Sequence, residues 1–178
     1  AVLEGSCRNA YALMRPPGHH AERDRGRGYC IFNNIALGIL SARQSHQIER
    51  VAVVDWDVHH GNGTQAAFWD DASLIYASSH QMPLYPGTGA ANEQGAHNNI
   101  FNLPCAPGTS GTQIITEWRE ILLPAVVDAA PDLVIISAGF DAHIDDPLAQ
   151  LQLGSEDFYT ITKRALEVSK SFCNGNVV

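Results

Sequence analysis

Val51-Ala-Val-Val-Asp55-Trp-Asp57-Val-His59-His60-Gly-Asn-Gly63 decides how this chain folds. It opens as a short apolar run, Val51 to Val54, and closes in a burst of metal-binding groups. A strand buried on both faces of a parallel sheet has no ordinary reason to carry charge. Here the run Val51 to Asp57 reads as such a strand, with Asp55, Asp57 and His59 alternating at its end. A side-chain period of two directs them to one side. Two carboxylates and an imidazole on one face are costly to bury unpaired. A divalent cation would remove that cost, at the carboxyl strand ends where open α/β sheets bind ligands.

A second apolar run, Leu133 to Ile136, leads into Ser137-Ala-Gly-Phe-Asp141-Ala-His143. Asp141 then stands at the same edge of the same sheet. Asp57, His59 and Asp141 supply three oxygen and nitrogen donors and leave a coordination position open, as catalytic metal sites do. The plainer reading makes each residue a strand-end or helix cap; it weakens when three such residues gather at two strand ends. The third element is Arg15-Pro-Pro-Gly18-His19-His20-Ala21. Its prolines stiffen the backbone and its glycine permits a tight turn. Two adjacent imidazoles on a rigid loop are surface ornament in isolation, but beside a metal site they are general acid–base groups.

These segments, with Gly28-Tyr-Cys-Ile-Phe-Asn-Asn34 and the extension of the first to Gln65, resemble the zinc-dependent histone deacetylase family. That family includes bacterial deacetylase-like amidohydrolases and acetylpolyamine amidohydrolases. The resemblance runs from about Tyr11 to Val178 and is nearer the class II branch in its Trp-Asp-Val-His-His-Gly-Asn-Gly wording. It implies a three-layer αβα fold with a largely parallel sheet, of the arginase/deacetylase kind. It implies hydrolysis of acetyl amides on lysine side chains or polyamines, with zinc as the metal and iron(II) as the alternative. By matching motifs, Asp57, His59 and Asp141 ligate the metal, and His19 and His20 handle protons. Asp55 orients His19, and Asn62 stands beside His20 where class I members carry an aspartate. Gly28, Tyr29 and Tyr85 match the substrate tunnel. Ser78 and Ser79, with Asp55, Asp57 and His59, match a monovalent cation site suited to potassium.

The family also uses a tyrosine in a Gly-Gly-Tyr motif to polarise the amide carbonyl, and this sequence contains no such motif. Residues 1–178 are therefore expected to form a single, partial catalytic domain, inactive alone, lacking the family's N-terminal segment. Its sheet is expected to break off at a strand beginning near Asn176, leaving an unpaired apolar edge. A non-catalytic module that binds acetylated ligands is the alternative raised by that absence.

The composition, 45% hydrophobic with a net charge of −8, fits one globular domain and argues against a nucleic-acid partner. Cationic acetylated substrates suit an acidic surface. Cys7, Cys30, Cys105 and Cys173 show no C-x-x-C spacing, which points to buried thiols in a reducing compartment, the cytoplasm. No signal peptide or membrane-spanning run is evident.

Helical spacing marks Ile31 to Arg43, and an apolar run marks a strand at Leu74 to Ser78. Met82 to Asn99 reads as a long functional loop. Ser110 caps a helix that Pro131 ends, and Ser155 caps another, facing Phe158, Ile161, Ala165, Val168 and Phe172 inward until Gly175. One competing motif remains: Gly61-Asn-Gly63-Thr-Gln-Ala66 fits a dinucleotide-binding fingerprint, so an oxidoreductase is the second alternative. It lacks the ribose-binding acid some twenty residues on, where His80, Gln81 and Met82 stand.

Overall fold

Val51–Asp55 forms β1, buried at all five positions because it has a parallel strand on each side. The computed structural model describes all 178 residues, Ala1–Val178. Leu74–Gln81 (β2) lies on one side of β1, and Leu133–Ser137 (β4) lies on the other. Ile100–Cys105 (β3) pairs with β2, giving the order β3-β2-β1-β4, parallel throughout. The alternation along β1 sorts the core into two layers. Ala52 and Val54 join Trp118, Leu122, Val126, Phe158 and Ile161 on one face. Val51 and Val53 join Ala36, Ile39, Phe68 and Tyr76 on the other. Helices cover both faces, so the expected α/β three-layer fold is the observed one.

The helices follow their chemistry closely, with adjusted ends. Asn34–Ser45 (α1) starts three residues later than its periodicity predicts, because the Asn33 carboxamide accepts from the Ala36 N–H and fixes the first turn. Ile31 and Phe32 consequently stay outside it, exposed. Asn62–Ala67 (α2) is a short helix hidden in the glycine-rich stretch after β1. Ser110 caps Gly111–Glu117 (α3) as expected. A π-helical turn, Trp118–Leu122, then leads into Leu123–Ala129 (α4). Pro124 explains that widening: it has no N–H for the Glu120 carbonyl and its ring would crowd it. Left-handed Ala130 and then Pro131 stop the helix.

Ser155–Phe172 (α5) is capped by Gly154, not by Ser155. Asp157 reaches back 2.8 Å to accept from the Gly154 N–H. Phe158, Ile161 and Ala165 face inward, while Phe172 is 41% exposed. The outer side of β4 also departs from expectation. Val177 lies parallel to Val134, and the Ile136 N–H donates to the Val178 carbonyl. Asn9 pairs with Val177 on its far side. The bare apolar edge expected there is therefore covered. No helix is long and apolar enough to cross a membrane.

Candidate metal centre

Asp57, His59 and Asp141 bring one donor atom each to within 4.8 Å of one another, at the carboxyl ends of β1 and β4. The cause differs from simple strand alternation. β1 ends at Asp55, and Asp57 and His59 lie in the turn beyond it. Carboxylates shape that turn: Asp55 Oδ1 accepts from the Asp57 N–H at 3.2 Å, and Asp57 Oδ1 accepts from the His59 N–H at 2.9 Å. Asp141 arrives from the loop after β4, where its Oδ1 accepts from the Val58 N–H at 3.0 Å. A Cβ at Gly139 would overlap the Asp57 carboxylate, so only glycine lets this loop approach.

His59 Nδ1 sits 2.9 Å from Asp141 Oδ2 and 3.1 Å from Asp57 Oδ1. Asp141 and then Asp57 raise His59 to about 10 against the opposing effect of burial. Two carboxylates turned on one imidazole nitrogen make a position that favours positive charge. The donor set and its convergence fit a divalent cation bound through two oxygens and one nitrogen.

The tandem histidines stand beside this cluster, both buried. His19 donates from Nδ1 to Asp55 Oδ2 at 3.0 Å. Burial lowers its affinity for a proton, but Asp55, Asp57 and Asp141 together raise it to about 9. His20 goes the other way, to about 4, through burial and then the charge of His19. Its Nδ1 meets Asn62 Oδ1 at 2.9 Å. Its ring has Gly28 behind it, where a Cβ would overlap the imidazole.

Of the residues matched to a tunnel, Tyr85 stands edge-on to His20 and His59, at centroid distances of 5.1 and 6.4 Å. Tyr29 projects into solvent, 97% exposed. Ser78 and Ser79 lie buried on β2. Ser78 Oγ pairs with His80 Nδ1 at 2.9 Å, and Ser79 Oγ accepts from Trp118 Nε1 at 2.9 Å.

Three supports of the site escape sequence reasoning. Tyr76 donates its hydroxyl hydrogen to Asp55 Oδ2 at 3.2 Å while accepting from the Gly61 N–H at 3.1 Å. His60 and His80, centroids 4.7 Å apart, form a buried pair under the metal loop. Glu22 bonds to Asn62. The dinucleotide reading fails for a local reason. At the start of α2 the Gly63 and Thr64 N–H groups both donate to the His19 carbonyl, and a Cβ at Gly63 would overlap the Ala21 carbonyl. The histidine loop fills the space a phosphate would need.

Known proteins resemble this chain in sequence and fold. A histone deacetylase-like amidohydrolase of Pseudomonas aeruginosa is 40% identical over 182 residues, covering 100% of this chain and 48% of that protein. A polyamine deacetylase, HDAC10 of Rattus norvegicus, is 39% identical over 172 residues, covering 92% and 29%. The crystal structure of the HDA15 HD domain superposes with a TM-score of 0.88 at 38% identity, covering 99% of this chain and 52% of that one. The chain spans about half the length of the first curated relatives it matches. The family model described as "Histone deacetylase domain" matches residues 1–178. With that match, these relatives and its parallel sheet, the chain belongs to the histone deacetylase family.

Proposed function

We propose that the protein carrying these residues is a zinc-dependent amidohydrolase that removes acetyl groups from acetyl-lysine side chains or acetylated polyamines. The observation that carries this reading is the convergence of Asp57, His59 and Asp141 beside two buried imidazoles of opposite proton affinity. Zinc held there supplies Lewis acidity toward water and the amide carbonyl; iron(II) suits the same donors.

This chain's own groups manage the protons. Neutral His20 accepts a proton at Nε2 from the attacking water. Charged His19, held by Asp55 at Nδ1, sets the field beside it, its Nε2 lying 3.1 Å from His20 Nε2. As the carbon–nitrogen bond breaks, a proton passes back to the departing amine. Tyr85 forms one wall against both rings, and Gly28 leaves room for His20. Tyr29, exposed at the same loop, is free to contact substrate. Asp55, Asp57 and His59, with Ser78 and Ser79, are the residues proposed to hold potassium as a structural ion. Three of the four free cysteines, Cys30, Cys105 and Cys173, are buried as expected, whereas Cys7 is exposed; the buried three are the support for a reducing compartment such as the cytoplasm.

The test is turnover of acetyl-lysine peptides and acetylpolyamines by the zinc-loaded protein that carries these residues, with and without chelator; residues 1–178 alone are expected to be inactive. Chelator-sensitive acetate release is expected. Binding of these ligands without turnover would favour the non-catalytic module instead.

A further inference from the structure

A chain of hydrogen bonds runs outward from His20. Asn62 Oδ1 faces His20 Nδ1 at 2.9 Å, and Asn62 Nδ2 reaches Glu22 Oε1 at 2.7 Å and the His20 carbonyl oxygen at 3.3 Å. Arg25 and Arg27 in turn donate to the two Glu22 oxygens, at 3.1 and 3.0 Å. A carboxamide presents two donors on one side and an acceptor on the other, and nothing in its own shape decides which side faces the imidazole. Its surroundings decide here. Ionised Glu22 and the His20 carbonyl can only accept, so the Asn62 NH₂ must point to them and its oxygen must point to His20. Burial alone would raise the proton affinity of Glu22, but its bonds from Arg25, Arg27 and Asn62 lower it, so it stays ionised at neutral pH.

We infer that Glu22 is a positioning residue for the proposed reaction: through Asn62 it locks His20 in the Nδ1–H tautomer and leaves Nε2 as its unprotonated, accepting nitrogen. The consequence at the site is direct. His20 Nε2 lies 3.1 Å from His19 Nε2, so only one of the two can carry the hydrogen between them. Asp55 fixes His19 from behind, and Glu22 fixes His20 from behind at one remove. With Asn62 free to turn its NH₂ inward, His20 Nδ1 would become the acceptor and Nε2–H would oppose Nε2–H. The neutral amide in place of a carboxylate thus depends on a surface carboxylate for its direction. Glu22 is half-buried and touches no metal ligand, so its replacement perturbs orientation rather than the fold.

The inference rests on the proposed deacetylase chemistry for its catalytic meaning, but its test reads the ring itself. Histidine-selective ¹⁵N spectra of the zinc-loaded protein at neutral pH are expected to show His20 as the Nδ1–H tautomer. Glu22→Ala is expected to mix the two tautomers and to lower kcat by ~10-fold or more with KM little changed, the range seen when the partner of a metal-site histidine is removed. Glu22→Gln keeps an acceptor for Asn62 and is expected to retain the wild-type signature. Asn62→Asp needs no orientation, since both its oxygens accept; in that background Glu22→Ala is expected to leave the tautomer unchanged. An unaltered Nδ1–H signal in Glu22→Ala, or an equal disturbance with Asp at position 62, overturns the inference. Either result stands apart from whether the protein hydrolyses acetyl amides at all.

Discussion

The Nε2 atoms of His19 and His20 lie 3.1 Å apart, room for a single hydrogen between two ring nitrogens. Asp55 behind one ring and Asn62 behind the other divide them into a charged member and a neutral one. A neutral imidazole is the one able to take a proton. Replacing His20 by Ala is therefore expected to cost at least ~100-fold in turnover, the low end for general acid–base catalysis. Steady-state rates of the zinc-loaded protein check this; a near-normal rate would show the pair to be structural.

Metal binding should depend on both strand ends. Asp141→Ala removes a donor that only β4's loop brings in, and calorimetry is expected to show loss of tight zinc binding. Gly139→Ala leaves all three donors in the sequence but places a methyl on the Asp57 carboxylate. It is expected to weaken zinc binding as well, while far-ultraviolet dichroism stays close to wild type. Undiminished affinity in both variants would remove these residues from the site.

Low pH should loosen the molecule through the second histidine pair. His60 is held down to about 3 and His80 below its ordinary value, by burial first, with mutual repulsion adding to it at His60. Both take up protons in the unfolded chain below about 6.5 and resist doing so when folded. The unfolded state then binds more protons, so stability is full above that pH and falls as pH drops through it. Each such group contributes a slope of up to about 1.4 kcal/mol per pH unit. Urea midpoints between pH 7 and pH 5 are expected to fall, and His80→Gln to flatten the fall. An unchanged slope in that variant would mean that His80 does not titrate on unfolding.

Trp118 ties the π-helical turn to the sheet. Its ring is fully buried, and its Nε1–H donates to Ser79 Oγ. Trp118→Ala is expected to cost about 3–5 kcal/mol of folding free energy, as large-to-small changes in packed cores do. Trp118→Phe keeps much of the packing and should cost less. Equal losses in chemical denaturation would point to the hydrogen bond rather than the ring.

Where sequence could be read, the signal was chemical and local. Val51 to Val54 announces a doubly covered strand, and the Asp and His residues after it have no role in a core. The metal triad and tandem histidines were legible for that reason. β3 was not: Ile100-Phe-Asn-Leu-Pro-Cys105 carries Asn102 and Pro104, which weaken any strand pattern. It is tolerated because β3 is an edge strand, where a missing N–H costs no ladder bond. α2 lay hidden because glycine and asparagine are poor helix formers, and the His19 carbonyl rather than a side chain receives its first N–H groups. Tyr76 and Glu22 gave no sign at all. Their roles come from contacts with Asp55, 21 residues away, and with Asn62, 40 residues away.

The pairing of β1 with β4 joins Val51 to Leu133, so the two halves of the ligand set meet only after a long loop has closed. Contacts this distant in sequence form late and slowly, since loop closure must precede any gain from them. Asp57 and His59 are neighbours in the chain at every stage, whereas Asp141 reaches them only through the pairing of β4 with β1. Tight metal capture needs β4 in place beside β1, and a zinc indicator followed during refolding is expected to respond only once that pairing has formed.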